Sequence, residues 1–319
     1  MHWKGITMPT FLRRRSTLCG STYAEQVDQR AAVDDGALRA LVGELRFELV
    51  PMKSVEQAIT DLPEAAPVSV TCSPAKGLAA TQELTARLLD MGHDTVPHVS
   101  ARLVEGPDHV ARLARWIRDH RLRELFVVGG DAEEPVGPYA DGLSFMRELF
   151  THDTGLECVG VPSYPDGHVL IESAVLGDAL LAKQSLLAEA GIAGSTTTQM
   201  CFDSERIRDW LTVERARGMS MPVDLGVPGV VDRARLMSMG VRLGIGASLR
   251  FLRKNRATMT AMLAPGGYDP TDLVADFAAD AAELGIRGLH SFTFNSVADT
   301  AHWQQNILVG SDERGMLDA

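Results

Sequence analysis

The sequence predicts an α/β chain folded as a parallel (β/α)8 TIM barrel with an N-terminal extension, and three observations predict it. Eight short apolar runs alternate with longer stretches of helical period, and strands that alternate with helices pair in parallel through right-handed crossovers. Eight such units favour closure into a barrel over an open doubly wound sheet. The length of 319 residues is long for one ordinary domain but suits a barrel of this kind, which takes about 250 residues.

Residues 1–36 mix Arg, Ser, Thr and Gly without a steady period and read as a loosely ordered arm, which leaves 37–319 as the barrel domain. The expected strands are residues 45–50, 67–72, 95–100, 124–128, 157–161, 194–200, 221–226 and 288–292. Each is short and rich in Val, Phe or Leu, as strands buried on both faces should be. Between them, 81–91 and 108–120 carry apolar residues at three- and four-residue steps and predict amphipathic helices. The stretch 176–190 is mostly apolar, and 203–217 begins on Asp203, the expected N-cap. Residues 272–284 start after Pro270 and stop at Gly285, following the Pro-start, Gly-stop asymmetry of helices. The long gap before the eighth strand has room for two or more helices and a Gly/Pro loop at 264–268 placed to cover a site.

Composition removes several function classes. A net charge of −11 argues against a nucleic-acid partner, because phosphate binding needs a basic face. The run Arg13-Arg14-Arg15 reads as part of a solvated tail rather than a nucleic-acid or membrane contact. The four cysteines, Cys19, Cys72, Cys158 and Cys201, form no C-x-x-C pair, so neither a zinc site nor a disulfide framework is expected. No uninterrupted apolar leader and no run of 18 apolar residues occurs, so a soluble, cytoplasmic protein without a membrane partner is expected, its homo-oligomeric state left open. Neither G-x-G-x-x-G nor a Walker loop is present, and Gly129-Gly130-Asp131 lacks dinucleotide-fingerprint spacing. A nicotinamide nucleotide would have to be held in another way.

In a barrel of this kind the catalytic candidates are polar residues at the C-terminal strand ends. Read in order, those ends are Glu48, Thr71, His98 after Pro97, Asp131, the stretch from Tyr164 to His168, Gln199, and His290 to Asn295. Each has a bland reading. Glu48 could be a strand-end charge, although it lies between Phe47 and Leu49, and a buried lone acid is costly unless it has a task. Asp131 could cap a turn, His98 could be a satisfied structural histidine, and Gln199 could bond a neighbouring strand end. His168 could open a helix, and packing outweighs catalysis for His290. The set is stronger than its members, because all fall at one end of the predicted barrel.

At these residues the chain resembles the methylenetetrahydrofolate reductase family. The matching stretches are Phe47-Glu48, Val68-Ser69-Val70-Thr71, Pro97-His98, Gly130-Asp131, Tyr164-Pro165 with His168, Thr198-Gln199 with Phe202-Asp203, and His290 with Thr293 and Asn295. They run in the family's order and span about residues 40–310. The resemblance implies an enzyme that reduces 5,10-methylenetetrahydrofolate, a small-molecule substrate, to 5-methyltetrahydrofolate, with NADH or NADPH as the electron source. It makes Glu48 the acid that protonates the pterin so that its five-membered ring opens to an iminium ion. Such an acid must hold its proton near neutral pH, which apolar surroundings favour. Asp131 and Gln199 then resemble the residues that hydrogen-bond the pterin, with Phe202 and Phe292 also at substrate positions. Phe292 stands where the family often has a tyrosine. Thr71, His98, Tyr164 and His168 match cofactor-contacting positions.

The chain departs from the family where FAD would be gripped. On the helix after the fifth strand, the basic pair that holds the flavin ribose and phosphates aligns with Leu186 and Leu187, leaving Lys183 as the one cation. A diphosphate needs cations or a helix N-terminus, so the resemblance favours direct hydride transfer without bound FAD, the nicotinamide lying where relatives stack the flavin ring. A flavin-dependent version using FAD or F420, and a folate-binding barrel without catalysis, are the alternatives. Retention of Glu48 argues against the latter.

Overall fold

A computed structural model of the chain describes residues 36–231 and 268–317. Residues 1–35 of the expected arm and residues 264–267 of the expected covering loop lie outside the described residues. In chain order the elements begin β1 (Leu45–Leu49), α1 (Val55–Thr60), β2 (Pro67–Val70), α2 (Gly77–Asp90), β3 (Asp94–Ser100) and α3 (Pro107–Asp119). They continue with β4 (Glu124–Val128), α4 (Gly142–Leu149), β5 (Cys158–Ser163), α5 (Ser173–Ala190), β6 (Ala193–Thr198) and α6 (Ser204–Ala216). The last are β7 (Val223–Pro228), α7 (Thr271–Ala278), α8 (Ala281–Leu284), β8 (Ile286–Phe292) and α9 (Val297–Leu317). The strands form a closed barrel in sequence order, each parallel to the next, and β8 returns to β1. This is the predicted (β/α)8 barrel.

The core is a shell between sheet and helices. Leu45, Phe47 and Leu49 of β1 are fully buried on its outer face, as are Leu113 and Ile117 of α3 and Phe145 and Leu149 of α4. The strands were expected to be apolar on both faces, and only the outer one is. Alternation along each strand sends Arg46, Ser69, His98 and Thr197 into the lumen, where barrels more often stack Val, Ile and Leu. Short apolar runs reveal the outer face, while the intervening polar residues serve the barrel interior.

Helix boundaries follow local chemistry. Asp203 caps α6 as expected, its side chain accepting the Arg206 N–H at 3.2 Å. The expected single helix over 272–284 is instead α7 and α8. A guanidinium nitrogen of Arg208 takes the Asp276 carbonyl, and the Asp280 N–H bonds Phe277 O at 3.2 Å, so the ladder breaks between them. Three helices carry no strong sequence signal: α1, α9 and α4. The last is opened by a capping box in which Asp141 accepts the Ser144 N–H at 2.8 Å.

Candidate active site

The C-terminal strand ends form one mouth, and Glu48 and Gln199 both lie there as predicted: Glu48 is the penultimate residue of β1, and Gln199 directly follows β6. The register sets Glu48 beside Ser69 of β2 and Phe292 of β8. Thr293 locks it by donating its hydroxyl to the Glu48 carbonyl at 2.5 Å. The carboxylate is buried, its side chain 9% exposed, and Oε2 lies 3.0 Å from Nε2 of His290, itself 5% exposed. His290 is thus hydrogen-bonded to the acid as well as packed. In a closed eight-stranded barrel β1 must neighbour β8, so an inward residue of β8 is the natural partner for an inward acid of β1.

His98 completes this cluster. Its ring lies on Phe126 with centroids 4.6 Å apart and stands 6.1 Å from His290. Burial above all, then the charges of His290 and Arg46, hold its pKa well below the ordinary 6.5, so the imidazole is neutral. Its Nε2 is buried without a hydrogen-bond partner among the described residues, as is the Thr71 hydroxyl at the end of β2. Phe292 sets its ring edge against His290 at 5.1 Å. Its ring leans over the adjacent strand β7 at Gly226, where a Cβ would stand 1.9 Å from Thr198 O and 2.7 Å from the Phe292 ring.

A second group gathers on β4 and β5. Gly130, at φ +98°, turns so tightly against β3 that a Cβ would meet the Ser100 hydroxyl at 1.7 Å, and the turn presents Asp131, which is exposed. Arg102, which the sequence reading passed over, pins this loop by donating to the carbonyls of Ala132 at 2.7 Å, Glu133 at 2.6 Å and Ala140 at 3.1 Å. Its signal was faint, an arginine just past the end of a strand. Tyr164 packs edge-on against His168 at 5.3 Å. Burial, followed by the carboxylate of Asp131, raises the Tyr164 pKa, so the phenol is protonated and available as a donor.

The remaining predicted residues are placed less openly. Gln199 is half-buried and turns its Oε1 back onto the Met200 N–H at 2.9 Å, a bond to its own next residue and not to a neighbouring strand end. Phe202 is buried and stands edge-on to Tyr268 at 5.4 Å. His168 accepts the Leu170 N–H at 3.2 Å.

The phosphate question changes ground. Leu187 is fully buried, and a Cβ on Gly194 at the start of β6 would touch it at 3.1 Å. Leu186 packs beside it against the core. Both leucines therefore build the wall near the N-terminal end of the barrel, and their apolar character says nothing about a phosphate at the mouth. At the mouth edge of α5 stand the exposed Val169, Leu170 and Val175, with Glu172 at the N-cap, so an anion there would meet a like charge beside the first-turn N–H groups. Of two nearby cations, Arg206 pairs with Asp166 at 3.4 Å, while burial lowers the pKa of Lys183, with Asp141 as an opposing charge nearby. This edge therefore offers a flavin diphosphate backbone N–H groups set beside a carboxylate, a poor electrostatic match.

Glu48, His98 and His290 have ligand atoms within 4.8 Å of one another, a donor set that would also suit a divalent ion. The 3.0 Å hydrogen bond between two of them favours an acid held by an imidazole. No protein-family model matches the chain. Among the described residues, no helix is long and apolar enough to cross a membrane.

Proposed function

We propose that this protein reduces 5,10-methylenetetrahydrofolate to 5-methyltetrahydrofolate by direct hydride transfer from NADH or NADPH. One observation carries the reading: a buried carboxyl group at the barrel mouth, hydrogen-bonded at 3.0 Å by His290 and flanked by the neutral His98. Such a group can hold a proton out of bulk water and deliver it to a substrate nitrogen. With His290 donating from Nε2, the carboxylate left behind is stabilised by a hydrogen bond to an ion, which is stronger than one between neutral groups.

The chemistry then falls to few residues. Glu48 gives its proton to the bridging nitrogen that leaves when the five-membered ring opens, and that nitrogen keeps it. The methylene carbon becomes electrophilic and takes hydride from the dihydronicotinamide. Asp131 and Gln199 hydrogen-bond the pterin edge, which requires Gln199 to release its own backbone contact. Phe292 and Phe202 supply apolar walls. Thr71 brings a buried hydroxyl that lacks a partner among the described residues, and with His98, Tyr164 and His168 it lines the space for the nicotinamide. An iminium ion accepts hydride without a relay, so no step is assigned to FAD.

The test is direct. Purified protein is mixed with NADH and methylenetetrahydrofolate, NADH oxidation is followed with product analysis, and the spectrum of the protein is recorded first. Folate-dependent oxidation by a colourless protein supports the reading. A yellow protein whose rate tracks its flavin content replaces it with the flavin-dependent reaction, and no folate-dependent oxidation removes it.

A further inference from the structure

The lumen beneath Glu48 is not filled by side chains. A cavity of about 210 Å³ runs from the Glu48 cluster toward the N-terminal end of the barrel, with Ser69, His98, Thr197 and His290 around its upper part. That is room for several waters, since one water occupies about 30 Å³ of the liquid. Two polar atoms on this wall, Ser69 Oγ and His98 Nε2, are buried without partners among the described residues.

The far end is charged. Arg46 pairs with Asp94 at 3.1 Å and reaches Glu124 at 3.7 Å, while Arg287 pairs with Asp224 at 2.5 Å and reaches Glu124 at 3.9 Å. With Glu44, four carboxylates face two guanidinium groups around this end of the cavity. Asp94, Arg287 and Glu44 are exposed, so the cavity meets solvent through an acidic vestibule, which favours protons over anions.

We infer that this cavity is the path by which Glu48 regains its proton, with His290 as the relay. The inference rests on the proposed reaction, which consumes one proton per turnover and leaves Glu48 as a carboxylate while folate and nicotinamide fill the mouth. His290 both hydrogen-bonds Glu48 and lines the cavity. A cavity water gives a proton to the free ring nitrogen of His290, Nε2 passes its own proton to Glu48 Oε2, and the ring ends neutral. One proton leaves solvent and one arrives on the carboxylate. The ring returns to its first tautomer by releasing the proton of its other nitrogen to cavity water and taking one on Nε2 as it rotates toward the cavity. His290 is thus a positioning and relay residue, acting on substrate only through Glu48.

The experiment separates the first turnover from the rest. In the S69A/T197V double variant the cavity wall loses its hydroxyls with little change in shape. If Glu48 is refilled from below, the first turnover, followed by rapid mixing, stays within about twofold of wild type. Steady-state kcat falls about tenfold or more and its solvent deuterium isotope effect rises. His290→Gln, which keeps a hydrogen-bond donor but cannot relay, loses kcat at least as far with the folate KM unchanged. Unaltered kcat and isotope effect in both correctly folded variants would overturn the inference, as would a first turnover slowed as much as kcat in S69A/T197V. A wild-type protein that does not reduce the folate at all removes the reaction itself, and the relay with it.

Discussion

Glu48 and His98 sit in the same buried cluster and are expected to respond to different probes. Under the proposed reaction, replacing Glu48 with Gln should keep shape and folate binding while removing the transferable proton. Turnover should drop by about two or more orders of magnitude, the usual scale for losing a general acid, while folate binding measured by calorimetry changes little. Near wild-type turnover would mean that another group delivers the proton. His98 is read out by stability. Its folded pKa lies well below 6.5, so as pH falls below 6.5 the unfolded chain takes up a proton that the folded chain refuses, and stability declines. Denaturant midpoints should therefore fall between pH 7 and 5, with a shallower fall in His98→Gln; identical slopes would show that His98 titrates normally. At this scale the sequence was partly legible. A charge between Phe47 and Leu49 marked Glu48 as unusual, but nothing near His290 in the chain shows that its partner lies 242 residues away.

Among elements, the seam from β8 back to β1 holds the site together. Asn295 accepts the Val50 N–H at 2.8 Å and donates to Val50 O at 2.9 Å and to the Ser54 hydroxyl at 3.1 Å. It follows Phe294, and both adopt positive φ, +51° and +63°, a conformation that Asn tolerates better than most residues. Asn295→Asp removes both donated bonds and sets a carboxylate against a carbonyl, so about 2–3 kcal/mol of stability should be lost. Because Thr293 on the same turn fixes the backbone of Glu48, kcat should fall with it. A variant as stable and active as wild type would show that the strand pairing closes the barrel without this side chain. Helix periodicity was visible where one face alone is apolar, as in α3. It failed at α7 and α8, because the break depends on Arg208 from α6, a tertiary contact with no local signature.

Closure of the whole barrel is what converts dispersed polar residues into one mouth, and it shapes the kinetics. Direct transfer requires folate and nicotinamide to be bound there together, with donor and acceptor carbons about 3–3.5 Å apart. Initial-rate lines at several fixed folate concentrations should intersect, and stereospecifically deuterated NADH should pass its label into the methyl product. Parallel lines, or label lost to solvent, would indicate a relay instead. The sequence by itself determined the barrel: alternating short apolar runs and helical stretches can bury their surfaces in few ways, and eight units close. It also marked the mouth, because parallel strands all end on one face, so residues after each run converge without any knowledge of distances. Only the tertiary structure decided which of those residues touch. It paired His290 with Glu48, set Leu187 at the far end, and left a polar, unfilled lumen. Those outcomes depend on strand register and on the stagger of a closed sheet, which shift neighbours between strands by whole residues, and a linear pattern of apolar and polar residues does not carry that shift.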